Sequence, residues 1–207
     1  MQIHGHWRSG CTRRVLATWF EVRDDAPEFV QVALEKREQK GPEHLQRHPF
    51  GRVPVLVDGD FVLYESQAIM RHIAQGTALV PNDAKRRATM DQFLSASLSY
   101  LATPASLINR NIMVVKLLGL PSNPEEIERG RSEVAEVLSV YERTLADREY
   151  LAGPVSLADL DVLPTLQMLV DLKQDDLLEN TPHVRAWSER LRARASWQRV
   201  LAMAAPR

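Results

Sequence analysis

Three short stretches carry residue types suited to chemistry. In the first, Ser9, Cys11, Arg13 and Arg14 stand together where an amphipathic helix begins. A thiol in a first helical turn beside cations has the setting that lowers a cysteine pKa and makes the sulfur a nucleophile. Serine at a helix start is also a favoured N-cap. In the second, "RVPVLVDG", Pro54 interrupts an apolar run that otherwise reads as a strand. Proline removes a ladder donor there, which makes sense where the preceding peptide bond is cis: the chain turns sharply, and the backbone N–H and C=O of Val53 are left without a sheet partner. Free groups of that kind pair with an extended peptide in the manner of an added strand. In the third, Glu65 and Ser66 follow a second apolar run, where a new helix begins. The N-terminus of a helix attracts carboxylates, Ser66 adds a hydroxyl, and the Glu65 carboxylate accepts from an ammonium. The ligand implied is a short peptide with an amine and a carboxylate at one tip.

The elements that must hold these residues follow from periodicity. "MQIHGH" reads as a strand ending at Gly5, and Val15, Leu16, Trp19 and Phe20 have helical spacing. "EFVQVAL" alternates as a strand through Val30, Val32 and Leu34, and "PEHLQRHP" is a short helix or turn stopped by Pro49. Two strands joined at Asp58-Gly59 and a helix from Ser66 through Ile73 complete the first part. Residues 76–84 bring Gly, Pro, Asn and Asp close together and read as a linker. Everything beyond looks helical. A long helix is expected from near Asp83, bent at Pro104. Asn123 and Pro124 start another as N-cap and first helical residue, with Val134, Val137, Leu138, Tyr141 and Leu145 on its apolar face. Gly130 inside it needs a packing reason, since it costs about 1 kcal/mol against alanine. Ser156 and Asp159 have capping-box spacing, flanked by Val155 and Leu160 as a hydrophobic staple. Thr181 with Pro182 starts a helix running to about Arg194, and a last one spans roughly Trp197 to Ala205. The organisation is a small α/β domain followed by an all-helical one.

Bulk properties narrow the function. The 207 residues are 44% hydrophobic and 26% charged, ordinary for a soluble globular chain of one large or two small domains. A net charge of -1 gives no electrostatic reason to expect nucleic acid or an anionic membrane surface. The Arg-rich tail from Arg185 reads as a solvated helix face. One cysteine excludes an internal disulfide and a multi-thiolate zinc site, and suits a reducing compartment. The start lacks the apolar core of a signal peptide, and no run is long enough to span a bilayer, so a cytoplasmic protein is expected.

Taken together, "HPFGRVPVLVDGDFVLYESQAIMRHIA" resembles the glutathione-binding half of the cytosolic glutathione transferases. "SGCTRRV", "LLGLPSN", "VYERTLADREYLAGPVSLADLDVLP" and "VRAWSERLRAR" are similar to the same family through to the C-terminus. The likeness is greatest to the phi class, with theta second, because a serine precedes "TRRV" at the expected spacing. The resemblance implies a thioredoxin-like N-terminal domain over residues 1–75, the linker over 76–84, and an all-α domain over 85–207 that contributes a hydrophobic substrate site. It implies a homodimer, and a detoxifying transferase with glutathione as cosubstrate and no metal. It gives Ser9 the role of donating a hydrogen bond to the glutathione sulfur. Val53 would pair with the cysteinyl backbone, Pro54 would be cis, and Glu65 and Ser66 would hold the γ-glutamyl end. Gln39, Lys40 and Arg52 fall where the family binds the glycine carboxylate, although the phi class commonly has histidine at position 39 and often glutamine at 52. Tyr100, Ile108 and Met113 are the candidates for the electrophile site, and Phe50 resembles an aromatic key at the partner's helices. Two alternatives stand beside this reading. Cys11 could form a mixed disulfide with glutathione in a thiol transferase or reductase, or the fold could carry apolar ligands without turnover.

Overall fold

The computed structural model describes residues 1–204. The sheet has the order β2-β1-β3-β4. Strand β1 (Gln2–Gly5) runs parallel to β2 (Glu28–Gln31) and antiparallel to β3 (Val55–Asp58), which is antiparallel to β4 (Phe61–Tyr64). These directions bring the ends of β1, β2 and β4 and the start of β3 to one edge of the sheet. Val55 is the common register point there, paired with His4 on one side and Tyr64 on the other.

Strand β2 is shorter than its alternation suggests. It ends at Gln31, Val32 donates to the Gly5 carbonyl at 2.8 Å, and the chain then coils through tight turns at Leu34–Lys36 and Glu38–Lys40. Glu38 enforces the turn by accepting from the Ala33 N–H at 2.6 Å. The same face that should have carried Leu34 into the strand is thereby redirected.

Three helices accompany the sheet: α1 (Gly10–Val22), α2 (Pro42–Arg47) and α3 (Ser66–Ile73). The apolar stripe of α1, with Val15, Leu16 and Trp19, is buried. Contacts divide the chain into two units, and the described residues from Ala193 to Ala204 group with residues 1–80. Its helix, α10 (Ala195–Ala204), packs on α1; the expected end at Ala205 lies outside the described residues. Glu21 fastens α10, accepting from Arg194 Nε at 2.6 Å and Nη2 at 2.7 Å, and from the Ser196 hydroxyl. Burial alone would raise the Glu21 pKa, but the hydrogen bonds from Arg194 and Ser196 win and hold it below the ordinary range. A folded pKa below the unfolded one stabilises the fold at high pH. Glu21→Gln is therefore expected to cost about 1–3 kcal/mol at pH 7. The difference is fully present above the ordinary Glu value of about 4.3 and is lost as pH falls through the lower folded value. Melting temperatures of both proteins across that range check it.

The second unit, Pro81–Arg192, is helical. Helix α4 (Ala84–Ala96) is capped by Asp83, whose Oδ1 accepts from the Arg86 N–H at 2.9 Å. The run continues as α5 (Ala102–Asn109) and α6 (Val115–Leu118), with two widened π-turns, Ser97–Leu101 and Arg110–Val114, between the pieces. Pro104 has no N–H to offer the preceding turn, and the widened turn before it absorbs the mismatch. Helix α7 (Pro124–Leu145) starts at Asn123, whose side chain accepts from Glu125 and Glu126. Gly130 has its packing reason: a Cβ there would lie 2.7 Å from the Pro104 carbonyl oxygen, so α5 and α7 meet backbone to backbone.

Helices α8 (Leu157–Asp171) and α9 (Pro182–Arg192) complete this unit. The capping box at Ser156 and Asp159 is formed. At α9 the capping differs from expectation. The Thr181 hydroxyl turns back to the Leu178 carbonyl, and Glu142 of α7 accepts from the His183 and Val184 amides at 3.2 and 2.9 Å. Among the described residues no helix is long and apolar enough to cross a membrane.

Candidate active site

Most of the chemistry-bearing residues leave the sheet at the end where β1, β2 and β4 finish and β3 starts. Ser9 follows β1, Gln39 and Lys40 follow β2, Arg52, Val53 and Pro54 precede β3, and Glu65 and Ser66 follow β4. The topology therefore starts segments that are up to 57 positions apart in sequence from the same end of the sheet.

Ser9 is the N-cap of α1. Its Oγ accepts from the Thr12 N–H at 3.3 Å and its carbonyl from the Arg13 N–H at 2.9 Å. With an N–H on the oxygen as acceptor, the hydroxyl hydrogen remains available to donate. The first amides of α1 have no intrahelical acceptor and carry the positive end of the helix dipole. The loop before it is fixed from below. His6 Nδ1 accepts from the Arg8 N–H at 3.2 Å, and Thr12 Oγ1 accepts from the His6 N–H. Burial lowers the His6 pKa, with the Glu35 charge working against it. His6 and Thr12 thus shape the loop, a role their sequence spacing did not reveal.

Cys11 is exposed one turn position beyond Gly10. Of its two neighbouring cations, Arg13 gives its Nε–H to the Trp7 carbonyl at 2.8 Å and Arg14 is buried.

The Val53–Pro54 bond is cis, and Val53 lies outside the ladder, which begins at Val55. Across the sheet edge, Glu65 has φ +72°, a backbone region that costs a non-glycine residue on the order of 1–3 kcal/mol. The strain is held by Tyr64 in the ladder on one side and by α3 on the other, where the Glu65 carbonyl accepts from Ile69 at 3.0 Å. Ser66 is the first residue of α3 and is buried.

Gln39 and Lys40 border the same region. Lys40 Nζ donates to the Phe50 carbonyl at 2.9 Å, and a Cβ on Gly51 would collide with the Gln39 carbonyl and the Lys40 side chain. Gln39 Oε1 is buried without a protein partner among the described residues. An unmatched polar atom of this kind fits a place where a ligand completes the hydrogen bonding. The Arg52 side chain is exposed, while its carbonyl accepts from His44 Nε2 at 2.7 Å. His48 stacks on Tyr64 at 4.8 Å between ring centroids, and burial lowers its pKa. Phe50 is 66% exposed and packs edge-on to both rings.

The electrophile candidates belong to the helical unit. Tyr100 and Met113 sit in the two widened turns, Tyr100 exposed and Met113 half-buried. Ile108 is fully buried, with its Cγ1 facing Gly130 of α7, so its side chain fills the core of that unit.

A four-stranded thioredoxin-like sheet with a cis-proline just before β3, followed by a helical domain, defines the class of protein. Residues 2–75 match the glutathione S-transferase N-terminal domain and residues 89–195 the glutathione S-transferase C-terminal domain. Glutathione S-transferase F10 of Arabidopsis thaliana is 41% identical over 182 residues, covering 84% of this chain and 85% of that protein. Glutathione transferase F7 from Populus trichocarpa superposes with a TM-score of 0.92 at 30% identity, covering 99% of each chain. Glutathione S-transferase I from mais, solved in complex with an atrazine glutathione conjugate, superposes with a TM-score of 0.91 at 30% identity, covering 99% of this chain and 98% of that one. The chain belongs to the glutathione transferase family, and its relatives are phi-class enzymes.

Proposed function

We propose that this transferase seats glutathione along the open edge of the sheet and ionises its thiol against Ser9 for attack on a hydrophobic electrophile. The observation that carries the reading is the Ser9 hydroxyl: capped as acceptor by Thr12, it keeps its hydrogen for a sulfur at the N-terminus of α1. Val53 would pair with the cysteinyl backbone, and Glu65 and Ser66 would hold the γ-glutamyl ammonium and carboxylate. Gln39, Lys40 and Arg52 would meet the glycine carboxylate; a guanidinium suits that task. Tyr100 and Met113 are the residues of the helical unit best suited to an apolar substrate. The remaining parts of the proposal are a homodimer, a cytoplasmic setting, a detoxifying role, and domains over residues 1–75 and 85–207 joined by 76–84.

Serine is a donor in this scheme and the glutathione sulfur is the nucleophile. A thiol of pKa about 8.5 is roughly 3% ionised at pH 7, and lowering that pKa by about 2 units makes it roughly three-quarters thiolate. The shift corresponds to about 2.7 kcal/mol in favour of the anion.

The test is calorimetric titration with glutathione, followed by a panel of electrophiles for wild type, Ser9→Ala and Cys11→Ala. Cys11→Ala is expected to change conjugation by less than about two-fold, since an exposed cysteine in this scheme touches no reacting atom. Loss of activity in Cys11→Ala, with turnover of mixed disulfides by the wild type, would assign the chemistry to Cys11 instead. Stoichiometric uptake with no conjugation of any electrophile would mark a carrier.

A further inference from the structure

We propose that His44 is a positioning residue for glutathione: by holding the Arg52 carbonyl inside the domain, it keeps the Val53 N–H turned outward for the tripeptide backbone. This rests on the reading that Val53 pairs with the cysteinyl segment, and it assigns what holds that peptide group in place.

His44 lies in α2 and is buried. Its Nε2 is 2.7 Å from the Arg52 carbonyl oxygen. A carbonyl only accepts, so Nε2 carries the hydrogen. The Arg52–Val53 peptide is trans, the cis bond being the next one. In a trans, planar unit the C=O and N–H point in opposite directions. Fixing the carbonyl toward α2 therefore fixes the amide away from it.

The sheet does not supply this constraint, because the ladder starts two residues later at Val55. The ring that supplies it is itself oriented. His44 stacks with His48 at 6.4 Å and 20° between planes, and His48 stacks on Tyr64 of β4 at 4.8 Å. The stack thus links α2 to the strand that leads into Glu65. Without the donor, the part-buried carbonyl would rotate to find another partner, and the Val53 N–H would turn with it.

His44→Phe keeps a ring in the stack and removes the donor. His44→Gln returns an N–H at similar reach. Steady-state kinetics with glutathione and a fixed electrophile should show the KM for glutathione rising about ten-fold in His44→Phe with kcat within about two-fold, because the lost interaction is a binding one. His44→Gln should recover most of the lost affinity, and S-methylglutathione binding by calorimetry should follow the same order. An unchanged KM in a folded His44→Phe, or a KM that tracks melting temperature rather than the presence of the donor across both variants, overturns the proposal. Failure of the wild type to saturate with glutathione would instead overturn the binding reading on which it rests.

Discussion

Ser9→Ala should lower the rate of conjugation at neutral pH by several-fold to about 25-fold, should weaken glutathione affinity by only about four-fold through linkage to the same ionisation, and should move the alkaline rise of the pH–rate profile up by about 2 units. The upper figure is the ratio of thiolate fractions at pH 7, about three-quarters against about 3%. The variant's more basic thiolate is intrinsically the better nucleophile, which offsets part of the deficit. The shape of the profile is therefore more telling than any single rate. Wild type should reach its plateau near pH 7, and the variant should climb through about pH 8.5 and close the gap there. The cause is local. In the protein the Ser9 oxygen takes the Thr12 N–H and leaves its own hydrogen unspent. Alanine loses both the donor and the cap, so a modest drop in stability of about 1 kcal/mol should accompany the kinetic change. A profile superimposable on that of the wild type would remove Ser9 from the chemistry.

The second large effect is on stability. Asp159→Ala should cost about 3–5 kcal/mol, a large part of the 5–15 kcal/mol by which a typical domain is stable. Asp159 is fully buried and its carboxylate accepts four hydrogen bonds. The donors are the Leu151 N–H at 3.0 Å, the Ser156 N–H at 2.8 Å, the Ser156 hydroxyl at 3.0 Å and the Trp187 Nε1–H at 3.0 Å. Burial raises its pKa, and those donors pull against the rise. One side chain thus joins the chain before α8, the start of α8 and the buried indole of α9. Alanine would leave all four donors unmet in a dry interior, each at a cost of about 1–3 kcal/mol before relaxation. Asp159→Asn keeps one accepting oxygen but turns an amide toward donors, so its cost should be intermediate. Chemical denaturation followed by Trp fluorescence measures both. A loss below about 1 kcal/mol for Asp159→Ala would mean the network is dispensable.

Much of this architecture was legible in the sequence, and for identifiable reasons. The start of α7 was readable because Asn123-Pro124 is a purely local signal, and α3 because Ser66 follows a strand and precedes an apolar stripe. The capping box at Ser156 was legible for the same reason, but its wider network was not: Trp187 lies 28 residues away and nothing local announces it. The long-range ties behaved alike. Glu142 capping α9 and Glu21 fastening α10 join residues far apart in sequence, and His44 reaches the Arg52 carbonyl eight positions on, all through polar contacts that no local pattern announces. The end of β2 is not legible from alternation, because Val32 and Leu34 carry the pattern into a segment that Glu38 bends into a turn. In the active site, the cis bond at Pro54 followed from a proline within an apolar strand. The buried Oε1 of Gln39, and the loop-shaping roles of His6 and Thr12, depend on packing that spacing alone does not encode.

The central claim is that the bound tripeptide's sulfur is ionised near neutral pH by the Ser9 hydroxyl. Its most direct test is the ultraviolet absorbance of the thiolate in the complex, followed across pH for wild type and Ser9→Ala. The expected midpoint for wild type lies about 2 units below that of free glutathione, and that of Ser9→Ala returns toward the free value. Coincident midpoints in the two proteins, or a wild-type midpoint equal to that of glutathione in water, would contradict the account.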